Sequence, residues 1–157
     1  MSEKTYLTKE GLERLKSELH DLKTRGRTEI AAAIQKAREM GDLSENAEYD
    51  AAKDAQGLLE LKISKLENSL SSAQVLDVAD IDTDKVYILS TVKVKNLKVK
   101  KVVKYMLVAE EEQDLKAGKL SIKSPVGKAL LGKSVGDTIE INVPAGVIPF
   151  EILEITR

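Results

Sequence analysis

The chain has no cysteine and no tryptophan, one phenylalanine (Phe150), one histidine (His20) and three prolines in 157 residues. Without cysteine, disulfides, thiolate zinc sites and cysteine nucleophiles are excluded. His20 stands beside Asp21 with no second histidine at ligand spacing, so it reads as a surface residue and no Ser-His-Asp set can be nominated. A phosphate-binding loop is missing as well, because the glycines from Gly127 to Gly136 lack a strand-loop-helix context and a Gly-Lys-Ser/Thr ending. No apolar run reaches 18 residues, and the opening MSEKTYLTKEGLERL lacks the basic stretch and unbroken apolar run of a secretory signal. The expectation is a soluble, cytoplasmic protein with no membrane partner.

A hydrophobic fraction of 42% supports a packed core, and the length allows one ordinary domain or two small ones. The net charge of −1 argues against wholesale wrapping of nucleic acid, but the charges are unevenly placed. Through Arg38 the chain carries nine Lys or Arg against six acids. The next twelve residues hold five acids, Glu39, Asp42, Glu45, Glu48 and Asp50, and no base. An acidic cap sits on a basic stem.

Leu12, Leu15, Leu19 and Leu22 recur at steps of three and four, and Ile30, Ala33, Ile34 and Ala37 resume the pattern, which predicts one amphipathic helix from residue 8 to about 40. Thr8 is placed to cap its start. Ala52, Leu59, Ile63, Leu66, Leu70 and Ala73 form a second such seam. Between the two lies Met40-Gly41-Asp42-Leu43-Ser44-Glu45-Asn46, with Gly41 suited to a helix stop. A short link between long helices predicts an antiparallel hairpin, residues 1–78, with its acidic tip at 41–49. Gly26 and Gly57 interrupt the arms, as points of close helix approach or as tolerated weak points.

Beyond a boundary near Val78 to Asp84 the period changes. Val86–Leu89, Val92–Lys95, Val102–Val108, Thr138–Val143 and Val147–Ile155 read as strands, with turns at Gly136-Asp137 and Pro144-Ala145-Gly146. Ser124-Pro125 before Val126–Leu131 reads as the capped start of a short helix. The fold class is α+β: an N-terminal antiparallel α-helical coiled-coil hairpin followed by a small α+β domain over 84–157. Lys93, Lys95, Lys98, Lys100, Lys101 and Lys104 make a basic run, read as a charged sheet edge that discourages aggregation, with nucleic-acid contact as the minority reading.

Asp42 and Glu45 carry the tip's chemistry, and two readings stand. Three residues apart at a helix start, they fit an N-cap and N3 capping box. Against that, a capping box uses two acids, whereas this turn concentrates five at the end of a finger, where self-repulsion costs stability. Two carboxylates are too few to hold magnesium alone, so a metal site here has to be shared with a partner, where it could complete a two-metal arrangement for phosphodiester hydrolysis.

Gly41-Asp42-Leu43-Ser44-Glu45-Asn46-Ala47-Glu48-Tyr49 resembles the signature of the bacterial GreA/GreB transcript cleavage factors, and Ser124-Pro125-Val126-Gly127-Lys128-Ala129-Leu130-Leu131-Gly132-Lys133 resembles that family's carboxy-terminal motif. With the hairpin, the likeness spans nearly the whole chain. The resemblance implies a monomer that binds bacterial RNA polymerase and inserts its coiled coil into the secondary channel when a backtracked RNA 3′ end is extruded. There it would stimulate the polymerase's own RNA cleavage without being an enzyme itself. Asp42 and Glu45 would act in trans as ligands of Mg2+ shared with the polymerase, no metal being held tightly by the free protein. Ser44, Asn46 and Tyr49 would support the tip or touch polymerase loops, Arg38 and Lys53 would hold the RNA through its phosphates, and Ser124 and Pro125 would dock on the channel rim. Where family members often show two adjacent arginines followed by proline, this chain has Arg25-Gly26-Arg27-Thr28.

The resemblance also implies an FKBP-like second domain. A prolyl isomerase pocket is discounted, since Phe150, Tyr87 and Tyr105 are few enough for a small core to absorb. The rivals to a cleavage factor are a related channel-binding factor that does not stimulate cleavage, a hairpin adaptor or holdase whose acids only cap a helix, and an autonomous magnesium nuclease.

Overall fold

The computed structural model describes residues 4–42 and 45–157. The chain divides into two compact units, one formed by Leu12–Ser72 and the other by Lys4–Gly11 with Ala73–Arg157.

The first unit is the helical hairpin. Its ascending arm is α1 (Lys9–Asp21), a π-helical segment (Leu22–Gly26) and α2 (Arg27–Arg38); its descending arm is α3 (Ala47–Ser71). Ile34 and Ala37 of α2 and Ala52, Ile63 and Leu66 of α3 are buried, which is the three-four seam the sequence predicts. The antiparallel pairing is laced at its surface by Glu18–Lys62 at 3.6 Å, Lys23–Glu67 at 3.5 Å and Arg27–Glu60 at 3.0 Å. Exposed pairs of this kind contribute at most about 1 kcal/mol each, so the apolar seam dominates.

The ascending arm departs from the single α-helix predicted over 8–40. Between Leu22 and Gly26 the ladder widens, and the hydroxyls of Thr24 and Thr28 donate to the carbonyls of His20 and Thr24 at 2.8 and 2.9 Å. Such back-bonding bends a helix. Gly26 sits in this segment because the other arm comes close: a Cβ there would lie 3.2 Å from Cδ1 of Leu59. Gly57 has open space around it and is the tolerated weak point.

The second unit carries a five-stranded sheet in the order β5-β4-β3-β7-β6, built from β3 (Thr91–Asn96), β4 (Lys101–Val108), β5 (Lys119–Ser121), β6 (Thr138–Val143) and β7 (Gly146–Thr156). β3 lies between β4 and β7, antiparallel to both, with a register shift against β7 between Lys93 and Val94. Alternation places Val92 with Val94 and Ile139 with Ile141 in one core with Leu107, the register shift brings Ile152 and Ile155, three apart on β7, to the same face, and Leu130 of helix α4 (Pro125–Leu130) joins them. Tyr105 and Phe150 pack against this core, while Tyr87 is 40% exposed.

Two readings need correction here. Val86–Leu89 is not a strand. Val86 exchanges hydrogen bonds with Lys133 and Gly132, and Leu89, fully buried at φ +72°, donates its N–H to Leu107 O at 2.6 Å; the two ends of the run, Val86 and Leu89, are buried in an irregular turn while Tyr87 between them is exposed. Nor is the lysine run wholly an edge. Lys93 and Lys95 lie on the central β3, opposite Glu154 and Glu151 of β7, whereas Lys101 and Lys104 lie on the part of β4 that extends beyond its short parallel pairing with β5.

The amino terminus also differs from a plain hairpin start. β1 (Thr5–Leu7) pairs in parallel with β2 (Ala73–Val75), so residues 4–11 belong with the sheet unit instead of the hairpin assigned to 1–78. Three-residue strands are too short for period-two alternation to reveal them.

Candidate functional site

α2 closes with hydrogen bonds from Glu39 N–H to Gln35 O (3.3 Å) and from Met40 N–H to Ala37 O (3.1 Å). Gly41 follows at φ +130°, a conformation that favours glycine, as its reading as a helix stop requires. α3 then starts at Ala47, and its N-cap is Asn46: the side-chain oxygen accepts from Tyr49 N–H at 3.0 Å, and the main chain has the extended cap conformation.

The N-cap of α3 is therefore not Asp42 but Asn46. The same side chain reaches across the hairpin, its Nδ2 donating to Ala37 O at 2.6 Å. One residue thus supplies a cap to α3 and a second hydrogen bond to a carbonyl in the last turn of α2, which already accepts from Met40 N–H. Sequence reasoning placed Asn46 only among tip-supporting residues; its type, three positions before Tyr49, was the signal for the cap.

Asp42 and Glu45 line one open recess of about 650 Å³ together with Met40, Asn46, Ala47 and Glu48. Ser44 lies outside the described residues. Tyr49 is partly buried and holds the tip through its backbone N–H. Arg38 is exposed at the end of α2, and Lys53 is exposed on α3, its Nζ donating to Gln56 Oε1 at 3.0 Å. Both cations leave their charge on the hairpin surface.

The carboxylate oxygens of Asp42 and Glu45 are hard donors of the type magnesium takes. Among the described residues, no group of three or more His, Asp or Glu side chains is arranged to hold a metal ion. The tip fits magnesium in donor type, as a partial ligand set.

Farther back along the arms, Arg27 meets Glu60 through two hydrogen bonds of 3.0 Å, Nε to Oε1 and a terminal nitrogen to Oε2. The guanidinium holds the Glu60 carboxyl below its ordinary range, and the carboxylate raises Arg27 in return. Arg25, the other half of the departure from the paired-arginine pattern, is 3.9 Å from Glu29 on its own arm.

In the sheet unit, Ser124 and Pro125 start α4. The Ser124 hydroxyl accepts from Gly127 N–H at 3.0 Å and donates to Ser121 O at 2.6 Å, while Pro125 takes the first turn. Gly127 is required by that packing, since a Cβ there would collide with Ser121 O.

Comparison with known proteins gives two family matches. One, described as transcription elongation factor, N-terminal, covers residues 5–75; the other, transcription elongation factor, GreA/GreB, C-term, covers 81–157. The transcription elongation factor GreA of Flavobacterium psychrophilum is 56% identical over 157 residues, covering 100% of this chain and 99% of that protein. The chain belongs to the GreA/GreB family of transcription elongation factors. The GreA of Flavobacterium johnsoniae is similar at 55% identity, with the same coverage. Among solved structures, that of GreA factor homolog 1 of Thermus thermophilus is 29% identical, with a TM-score of 0.46, over 99% of this chain and 100% of that one. The helical hairpin falls within the residues matched by the first family model, and the five-stranded sheet within those matched by the second. Among the described residues no helix is long and apolar enough to cross a membrane.

Proposed function

We propose that this GreA/GreB family protein acts as a cytoplasmic monomer on bacterial RNA polymerase, inserting its hairpin into the secondary channel and stimulating the polymerase's own cleavage of backtracked RNA. The observation that carries the reading is the placement of the two tip acids in one recess at the end of the hairpin. α3 takes its N-cap from Asn46, and Asp42 and Glu45 line one open recess at the tip, where a partner's ligands could join their carboxylates.

In this reading the protein is not itself a nuclease. Asp42 and Glu45 would hold magnesium jointly with ligands supplied by the polymerase, and the ion would supply charge neutralisation and an activated water. Asn46 and the Tyr49 amide hold the loop, and Ser44 shares the signature. Arg38 and Lys53 attract the phosphates of the extruded RNA 3′ end. Ser124 and Pro125 present the start of α4 to the channel rim.

The test uses stalled, backtracked elongation complexes with wild type, Asp42→Ala or Glu45→Ala, following RNA shortening over time. Each variant should bind polymerase yet stimulate cleavage at least about 10-fold less, since losing even a group that only supports a metal ligand costs about 10- to 100-fold. Cleavage at the wild-type rate by both variants would refute the shared-metal reading. Shortening of free RNA without polymerase would refute the non-enzyme reading.

A further inference from the structure

With no cysteine in the chain, its sulfur chemistry rests on three methionines, Met1, Met40 and Met106. Met1 lies outside the described residues. Met106 is partly buried and packs against the cluster of Ile81, Leu89 and Val108. Met40 is the opposite case: 55% of it is exposed, and it lines the tip recess together with Asp42 and Glu45. Its N–H donates to Ala37 O at the end of α2, and Gly41 follows at φ +130°. The helix end therefore places a thioether, accessible to solvent, in the same recess as the two acids.

We propose that Met40 is a reversible oxidation site and that its sulfoxide switches off the tip; the effect on cleavage rests on the transcript-cleavage reading above. A sulfur lone pair attacks one oxygen of hydrogen peroxide, the O–O bond breaks, an S–O bond forms, and the other oxygen leaves as water. Sulfur loses the two electrons that the peroxide gains. The return step needs a dithiol acting through methionine sulfoxide reductases, which removes the oxygen as water and becomes a disulfide. No bond to carbon breaks in either direction, so the tip backbone keeps its covalent structure.

The consequence follows from what lines the recess. A sulfoxide turns a flexible apolar side chain into a polar one whose oxygen accepts hydrogen bonds. Asp42, Glu45 and Glu48 line the recess with carboxylates, which accept and do not donate. Asn46, the lining side chain that carries N–H groups, already directs its Nδ2 to Ala37 O. The new oxygen thus meets repulsion from the lining carboxylates. Relief comes from moving them apart, and a metal site tolerates only about 0.5 Å of misplacement.

The experiment oxidises the full-length factor alone with hydrogen peroxide and removes the peroxide before polymerase is added. Peptide mapping by mass spectrometry should show Met40 gaining one oxygen about tenfold faster than Met106, since oxidation follows exposure. With backtracked elongation complexes the oxidised factor should stimulate cleavage about tenfold less than untreated factor, at unchanged helix content. Treatment with both epimer-specific methionine sulfoxide reductases and a dithiol should restore it. Met40→Leu keeps an apolar side chain of similar volume and helix propensity without sulfur. It should stimulate within about twofold of wild type and keep that stimulation through peroxide.

Oxidation of Met40 no faster than that of Met106 overturns the proposal. So does an oxidised wild type as active as the untreated one, an equal loss in peroxide-treated Met40→Leu, or recovery of the thioether mass without recovery of stimulation. If Asp42→Ala loses stimulation while oxidised wild type keeps it, the switch alone is wrong. If untreated wild type gives no stimulation, the transcript-cleavage reading fails, and the switch fails with it.

Discussion

The side chain of Asn46 donates to the carbonyl of Ala37 at 2.6 Å, joining the last buried residue of α2 to the cap of α3. Asn46→Ala removes both this bond and the cap on Tyr49, and should destabilise the protein by about 1–2 kcal/mol, the upper part of the range for a lost N-cap. Asn46→Asp keeps the acceptor for Tyr49 but loses the donor to Ala37, so it should fall between wild type and Asn46→Ala in denaturant unfolding. If the two variants are equally unstable, the bond across the hairpin adds nothing.

Glu45→Ala should behave differently. Since Asn46 fills the cap, the change in unfolding free energy should stay within about 0.5 kcal/mol, as for an ordinary surface substitution, while cleavage stimulation falls. A loss as large as that of Asn46→Ala would return Glu45 to a structural role.

Gly57→Ala should raise stability by about 0.5–1 kcal/mol, because no atom lies within 4 Å of the added Cβ and alanine favours the helix. Gly26→Ala should gain less or lose, since Leu59 has to move aside. Thermal unfolding of the pair measures this directly.

At the start of α4, Ser124→Ala should cost about 1 kcal/mol through loss of the cap to Gly127. Gly127→Ala should cost more, about 1–3 kcal/mol, because the neighbour it meets is the Ser121 backbone, which cannot rotate away as a side chain would. Equal stabilities for the two variants would contradict this packing.

The Arg27–Glu60 pair sets a pH dependence. The folded-state pKa of Glu60 is below its ordinary value of 4.5, so the folded state favours the ionised carboxylate. The pair's contribution is present above that value and disappears as pH falls through the depressed folded one. Thermal unfolding of wild type and Arg27→Ala should therefore differ at pH 7 and converge in acid. Added salt should narrow the neutral-pH gap, because the pair is exposed.

The hairpin was legible because Leu15, Ile34, Ala37, Ala52, Ile63 and Leu66 keep three-four spacing, and burial follows that spacing. Val86–Leu89 misled because a buried turn and a buried strand share the same apolar composition, and only the left-handed Leu89 separates them. At the tip, two acids three apart satisfied the pattern of a capping box, but the cap of α3 lies four residues beyond Asp42, at Asn46, a boundary that pattern alone does not locate. The burial of Glu112 was invisible for another reason. Its carboxylate accepts from Thr8 N–H and lies against Gly11, 104 and 101 positions away, and no local pattern marks which of the three adjacent glutamates Glu110–Glu112 turns inward.

The π-helical stretch from Leu22 to Gly26 behaves as a one-residue insertion absorbed into the ascending arm. Removing one residue there would allow an unbroken α-helix with more regular hydrogen bonding, shorter by only about 1.5 Å. It would also turn everything beyond it by about 100°, swinging Ile34 and Ala37 out of the seam and Arg27 away from Glu60. The locally better helix would be the worse arm: the irregular turn keeps two stretches of sequence in phase with the same partner.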